Sequence, residues 1–150
     1  MLKILTFLIL IFCAAATVEA QVSSSSKLKL SYVEEGMGCG CSVSFNSAES
    51  QKNKHLLIIP MDDDAYVTID EKKLQLRLIA ESKERATEKV GDRSWEIYSA
   101  GNVRVRVDYL VTRVCDPDDE GCEATCFRAT MTVSKGRQRR VVKGVAICGC

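Results

Sequence analysis

The sequence has one histidine, His55, and contains no "HExxH" pair, no "GxSxG" elbow and no glycine-rich phosphate loop. These absences remove the zinc-protease, serine-hydrolase and nucleotide-phosphate readings that such motifs would carry. Neither sign of charge is in excess. Lysine and arginine total 21 against 20 aspartates and glutamates, a net charge of +1. That balance gives no expectation of nucleic acid or an anionic membrane surface as partner. Beyond Gln21 no apolar run approaches the roughly 20 residues that cross a bilayer. No repeat of fixed period is present, and no low-complexity run other than the four serines of "QVSSSSK".

What is present begins with "MLKILTFLILIFCAAATVEA": a basic start at Lys3, an apolar run from Ile4 to Thr17, and Val18 and Ala20 as small-side-chain cleavage positions. This is the layout of a secretory signal peptide over 1–20, leaving Gln21 as the new N-terminus. A membrane anchor is the rival, but the run is short for a bilayer and no basic flank follows it. Residues 21–30 read as a flexible lead-in and 31–150 as a single β domain, long enough to bury its own core. The expected product is secreted or periplasmic, monomeric, and free of the membrane once cleaved.

The apolar pattern of that domain alternates. In "VRVRVDYLV", Val103, Val105, Val107, Tyr109 and Val111 share one face, while Arg104, Arg106 and Asp108 share the other. A period of two is the signature of a half-buried strand. The same period runs through Ala65, Val67 and Ile69, through Leu74, Leu76 and Leu78, through Phe127, Ala129, Met131 and Val133, and through Cys41, Val43 and Phe45. Turn signals ("PMDDD", "DEKK", "AGN", "DPDDEG", "SKGR") separate these runs. They predict about eight strands, near 39–46, 55–60, 64–70, 73–80, 94–99, 102–114, 123–134 and 138–150. The fold class is therefore all-β: an antiparallel up-and-down barrel or sandwich. The polar stretch "ESKERATEKVGDR" suits a helix, a loop or an extended hairpin.

Of eight cysteines, Cys13 leaves with the leader; Cys39, Cys41, Cys115, Cys122, Cys126, Cys148 and Cys150 remain. In an exported chain these read first as disulfides. In an up-and-down arrangement with an even strand count, the first and last strands are antiparallel and can lie side by side. The two "CGC" triplets then face each other, Cys39 opposite Cys150 and Cys41 opposite Cys148, at separations that a disulfide accepts. Such a seam closes a loop of roughly a hundred residues, for which chain entropy gives about 4 to 5 kcal/mol. Bonds within each triplet, or crossed to the third group, are alternatives, and the apolar residues on both faces of the last strand leave open which face its cysteines take.

Cys115 and Cys122 flank an acidic turn and are expected to close it, with an irregularity because strand parity does not place them directly opposite. Cys126 falls on the outward face beside Arg128, as the odd thiol. The functional alternative is a four-thiolate Zn or Cu site from Cys39, Cys41, Cys148 and Cys150, or a redox role for the same triplets. No cofactor is otherwise expected.

Three surface features are candidates for binding. Asp116, Asp118 and Glu120, followed by Gly121, resemble the first half of a calcium loop, but Phe127 stands where a bidentate glutamate is wanted. Asp62 to Asp64 form a second acidic turn. Lys135, Arg137, Arg139 and Arg140, with Lys143, concentrate positive charge across the last turn, suited to steering an anionic surface or to guarding a strand edge. His55 is expected to be a surface or packing residue rather than a base or ligand.

The combined pattern of "GCGCS", "AYVTIDEKKLQLRL", "VRVDYLVTRVC" with a second cysteine seven residues on, and a terminal "CGC" resembles small exported cysteine-containing bacterial β proteins of unknown function. More distantly, the meander around "YVTIDEKKLQL" is similar to the periplasmic inhibitors of C-type lysozyme. That resemblance implies a small eight-stranded barrel, although the inhibitors' "SGxxY" loop is absent. The expected function is binding, of an inhibitor type, toward a protein or small molecule, and not catalysis.

Overall fold

The computed structural model describes residues 27–33, 38–61, 64–82, 89–115 and 122–150. The leader 1–20, most of the lead-in, Asp62, Asp116, Asp118, Glu120, Gly121 and the centre of the polar "ESKERATEKVGDR" stretch lie outside the described residues.

Among the described residues the strands are β1 (Leu30–Ser31), β2 (Gly40–Ser44), β3 (Leu57–Pro60), β4 (Ala65–Ile69), β5 (Lys72–Glu81), β6 (Arg93–Ala100), β7 (Val103–Arg113), β8 (Ala124–Lys135) and β9 (Gln138–Gly149). A single helical turn, α1 (Ser47–Ser50), follows β2 and is capped by Asn46, whose side chain accepts from the Glu49 amide at 2.9 Å. From β2 to β9 each strand pairs antiparallel with the next, and β9 returns to pair with β2. The product is a closed, eight-stranded, up-and-down antiparallel barrel. Closure removes the unpaired edges that an open sheet would expose.

Alternation decides what fills it. Val105, Val107, Ala129, Met131, Val133, Ala65, Val67, Leu76 and Ala146 point inward and are buried, as a small barrel whose interior is packed with side chains requires. The β4–β5 hairpin turns through Asp70 and Glu71, both at positive φ (50° and 65°). Two successive positive φ values give the turn whose twist matches the flanking strands.

The two ends differ. At one end the chain before β2 forms a strap: Leu28 and Leu30 join the core, and β1 pairs with β4. Lys29 bonds Asp70 through its amide and Glu71 through its ammonium, and Arg140 donates to the Leu28 carbonyl at 2.9 Å. Leu28 and Leu30, expected in a flexible lead-in, are thus part of the fold because two leucines at alternate positions cover the open end of the core. The opposite end carries the β2 start, the β9 end and the β3–β4 connection, and it is the mouth.

Two expectations on strand faces change. Phe45 shares the parity of Val43 but lies beyond the end of β2, 36 % exposed, against the edge of Tyr32. Leu78 keeps its inward parity, yet it is 41 % exposed because it lines the mouth rather than the packed centre.

Candidate functional site

The mouth is built on the seam. Cys41 pairs with Cys148, and Gly40 with Gly149, in the β2–β9 ladder. Disulfides join Cys41 to Cys148 and Cys39 to Cys150, with Cα separations of 4.0 and 4.1 Å. Cys41 shares parity with inward Val43, and Cys148 with inward Ala146 and Val142, so the sulfurs sit on the inner side of the rim. All four triplet sulfurs are committed to bonds, and none remains as a thiolate for Zn or Cu. No group of three or more metal-ligating side chains occurs among the described residues.

The triplet glycines face outward, and their role is steric. A Cβ at Gly40 would collide with the Ile59 carbonyl of β3, and one at Gly149 with the Glu123 carbonyl beside β8. The backbones on either side of the seam approach too closely for any other residue.

Below this rim lies a cavity of about 440 Å³. Its walls are apolar at Ile59, Pro60, Met61 and Leu78, sulfur-bearing at the two disulfides, and acidic at Glu81, Glu96 and Glu123. Glu96 is the unusual member, only 2 % exposed. It lies opposite inward Val107 in β7, which places it inside the barrel. The Tyr98 and Tyr109 hydroxyls both donate to its Oε2 at 2.8 Å. A buried carboxyl needs such donors to offset the loss of water. On its other side Glu96 is the direct cross-strand partner of Glu81 in β5. Two carboxyls in register oppose stability, since like groups facing across a ladder repel when charged.

A bulge between Leu78 and Ala80 sets this pairing by shifting β5 one residue against β6. Without it, inward parity would carry Ala80, not Glu81, into the mouth.

The other predicted residues are dispersed. Cys115 and Cys122 are bonded, with Cα atoms 5.4 Å apart, and the expected irregularity is a register shift between Val111 and Arg113. Among the described residues Cys126 is the free cysteine, half-buried and outward on β8 opposite Ile147. The basic residues near the last turn do not form one patch. Lys135 bridges to Asp70 at 2.7 Å, holding that carboxyl below its ordinary pKa, and Arg140 ties down the strap. Arg137 stands at the exposed turn, and Arg139 and Lys143 lie on the outer wall.

Of the two expectations for His55, surface or packing, the structure shows packing: the residue is buried. Its Nδ1 lies 3.1 Å from the Ser44 hydroxyl, its carbonyl accepts from the Val33 amide, and burial lowers its pKa below the ordinary 6.5. It sits at the strap end of β2, away from the mouth.

Glu96 and Tyr98 were not among the residues singled out from sequence, and Tyr109 was named only as part of the buried face of its strand. The signal was parity: "WEIY" sets Glu96 and Tyr98 two apart, on one face of a strand in a barrel whose neighbour is "VRVRV". Compared with known proteins, the chain matches no family model, no curated protein and no solved structure.

Proposed function

We propose that the protein is an exported binding protein that holds a small ligand in the stapled mouth of its barrel and performs no covalent chemistry on it. The mouth cavity carries this reading. At about 440 Å³ it falls in the range of small-ligand sites, and barrel mouths are a recurrent place for them. Its mixture of apolar wall and a few polar groups suits a ligand with an apolar body and a hydrogen-bonding head directed at Glu81 and Glu123, the exposed carboxyls of the lining. Two disulfides across the rim hold the walls in place before binding, which lowers the ordering cost of association.

Export is supported by the leader-like opening and by three disulfides, which persist in oxidising compartments such as the periplasm or the exterior. No helix among the described residues is long and apolar enough to cross a membrane. Binding rather than turnover is supported by the placement of the one histidine and of the Cys126 thiol away from the mouth: His55 packs against Ser44 at the far end, and Cys126 faces outward.

The test is a fluorescence titration with N-phenyl-1-naphthylamine, an apolar body with a single amine donor. Saturable binding that is lost in Leu78→Trp, which fills the mouth, is the expected result. Absence of saturation, or binding that Leu78→Trp leaves intact, refutes a mouth site.

A further inference from the structure

The outer wall of β5 to β9 contains one row unlike its neighbours. Arg77 pairs with Ser99, Ser99 with Arg104, Arg104 with Ser134, and Ser134 with Arg139. Directly opposed residues share a face, and the flanking Leu76, Tyr98, Val105 and Val133 point inward. Arginine, serine, arginine, serine and arginine therefore stand in one line across five strands. With strands about 4.8 Å apart, successive arginines are separated by about 9 to 10 Å.

These arginines are set apart by standing in one row, and like Arg128 elsewhere on the wall they are unpaired among the described residues. Lys29, Lys135, Arg106 and Arg140 are engaged, with Glu71, Asp70, Asp108 and the Leu28 carbonyl respectively. Arg77, Arg104 and Arg139 have no hydrogen bond or ion pair among the described residues, and all three are exposed. Two shallow grooves of about 430 and 420 Å³ run along the row, one beside Arg104, Ser134 and Arg139, the other beside Arg77 and Ser99. Of the acids nearby, Asp108 binds Arg106 through both oxygens, whereas Asp64, which accepts from the neutral Gln75 amide, lines the groove beside Arg77 and leaves the Arg104 to Arg139 end of the row the more strongly positive. At this spacing the mutual repulsion of the guanidinium groups is largely screened by physiological salt, so the row is tolerated in the free protein and open to anions.

We propose that this row is a docking track for an acidic polysaccharide with a carboxylate on every second sugar. Each guanidinium presents a planar fork that matches a carboxylate. Ser99 and Ser134, lying between arginines, meet hydroxyls of the intervening uncharged sugars. A polymer charged on every unit, nucleic acid included, would set an anion against each serine as well. The outer aromatics on either side, Tyr66 and Trp95, are covered by the Lys73 ammonium and the Arg106 guanidinium, 4.6 and 4.9 Å from their ring centres, and offer no open platform for base stacking.

The track is separate from the mouth, and its test does not depend on a mouth ligand. A hyaluronan octasaccharide, uronate on alternate sugars, is titrated calorimetrically against the folded protein at physiological salt. Saturable binding is expected, weakened by about tenfold or more in Arg104→Gln, the loss expected for one charge-assisted contact. Arg128→Gln removes the same charge from the same wall but off the row, and is expected to change binding by no more than about twofold, the size of a screened long-range effect. Unchanged thermal midpoints confirm that both variants fold. Equal losses in the two variants, no binding at all, or equally tight binding of an oligogalacturonate of the same length, charged on every sugar, would overturn the proposal.

Discussion

Cys41 lies directly opposite Cys148 in the ladder that closes the barrel, one rung inside the Gly40 to Gly149 pair and two inside the Cys39 to Cys150 bond. The two staples span sequence separations of 107 and 111 and enclose nearly the same loop. Their contributions are therefore not additive. Once one bond is present, the other closes only a ring of a few residues. Replacing the Cys39 to Cys150 pair by serine should cost about 2 kcal/mol on the chain-entropy relation, and replacing both pairs about 7. Urea unfolding of the three forms checks this; equal costs for the first and second removal would refute a shared loop.

Gly149→Ala should destabilise by about 1 to 3 kcal/mol, the usual cost of forcing atoms into a filled space. The added Cβ meets the Glu123 carbonyl and Ala124. Gly38→Ala is the control, since nothing lies within 4 Å of a Cβ there. A shift of the denaturation midpoint in the first variant and none in the second is the expected pattern.

Glu96 and Tyr109 are coupled through a 2.8 Å hydrogen bond. Tyr109→Phe should cost about 1 kcal/mol in the native protein and clearly less in a Glu96→Leu background, where that acceptor is gone. A double-mutant cycle by thermal or urea unfolding measures the difference. Additive effects would mean that the bond contributes nothing to stability.

His55 gives a pH dependence whose sign follows from burial. Its folded pKa is lowered, so the unfolded chain takes up the proton first. The stability contributed by the neutral imidazole is complete above the ordinary value of 6.5 and is lost as pH falls below it through the folded pKa. Thermal midpoints from about pH 7.5 to 5 should fall more steeply for the native protein than for His55→Asn. Since no other histidine is present, parallel profiles would remove His55 as the cause.

Cys126 is half-buried and unbonded. A maleimide should add once to the folded protein, and to all seven cysteines from Cys39 onward after reduction and unfolding. Intact mass reads both numbers. Two or more additions before reduction would break the proposed set of bonds.

Much of this architecture was legible because strand faces are set locally. Alternation in "VRVRVDYLV" and "CFRATMTV" identified the buried side of β7 and β8, and the spacing within "CGC" put each pair of cysteines on one face. The seam followed from an even strand count, which makes the first and last strands antiparallel. The last strand resisted. With Val142 and Ala146 on one side and Val145 and Ile147 on the other, its own residues do not say which face is inward; pairing with β2 and β8 does.

The remaining features depend on register, and register is a property of two strands at a time. Glu81 faces Glu96 only because a bulge at Leu78 to Ala80 shifts β5 by one residue. The Arg77 to Arg139 row exists only when four successive pairings are known. The basic residues of the last turn looked like one patch because they are adjacent in sequence, yet alternation and the strap send Arg139 outward and Arg140 to the Leu28 carbonyl. The sequence by itself determined a disulfide-stapled β fold, because side-chain period and cysteine spacing are local. The mouth, the buried carboxyl and the outer arginine row were decided by tertiary structure, because each is made of residues that only long-range pairing brings into line.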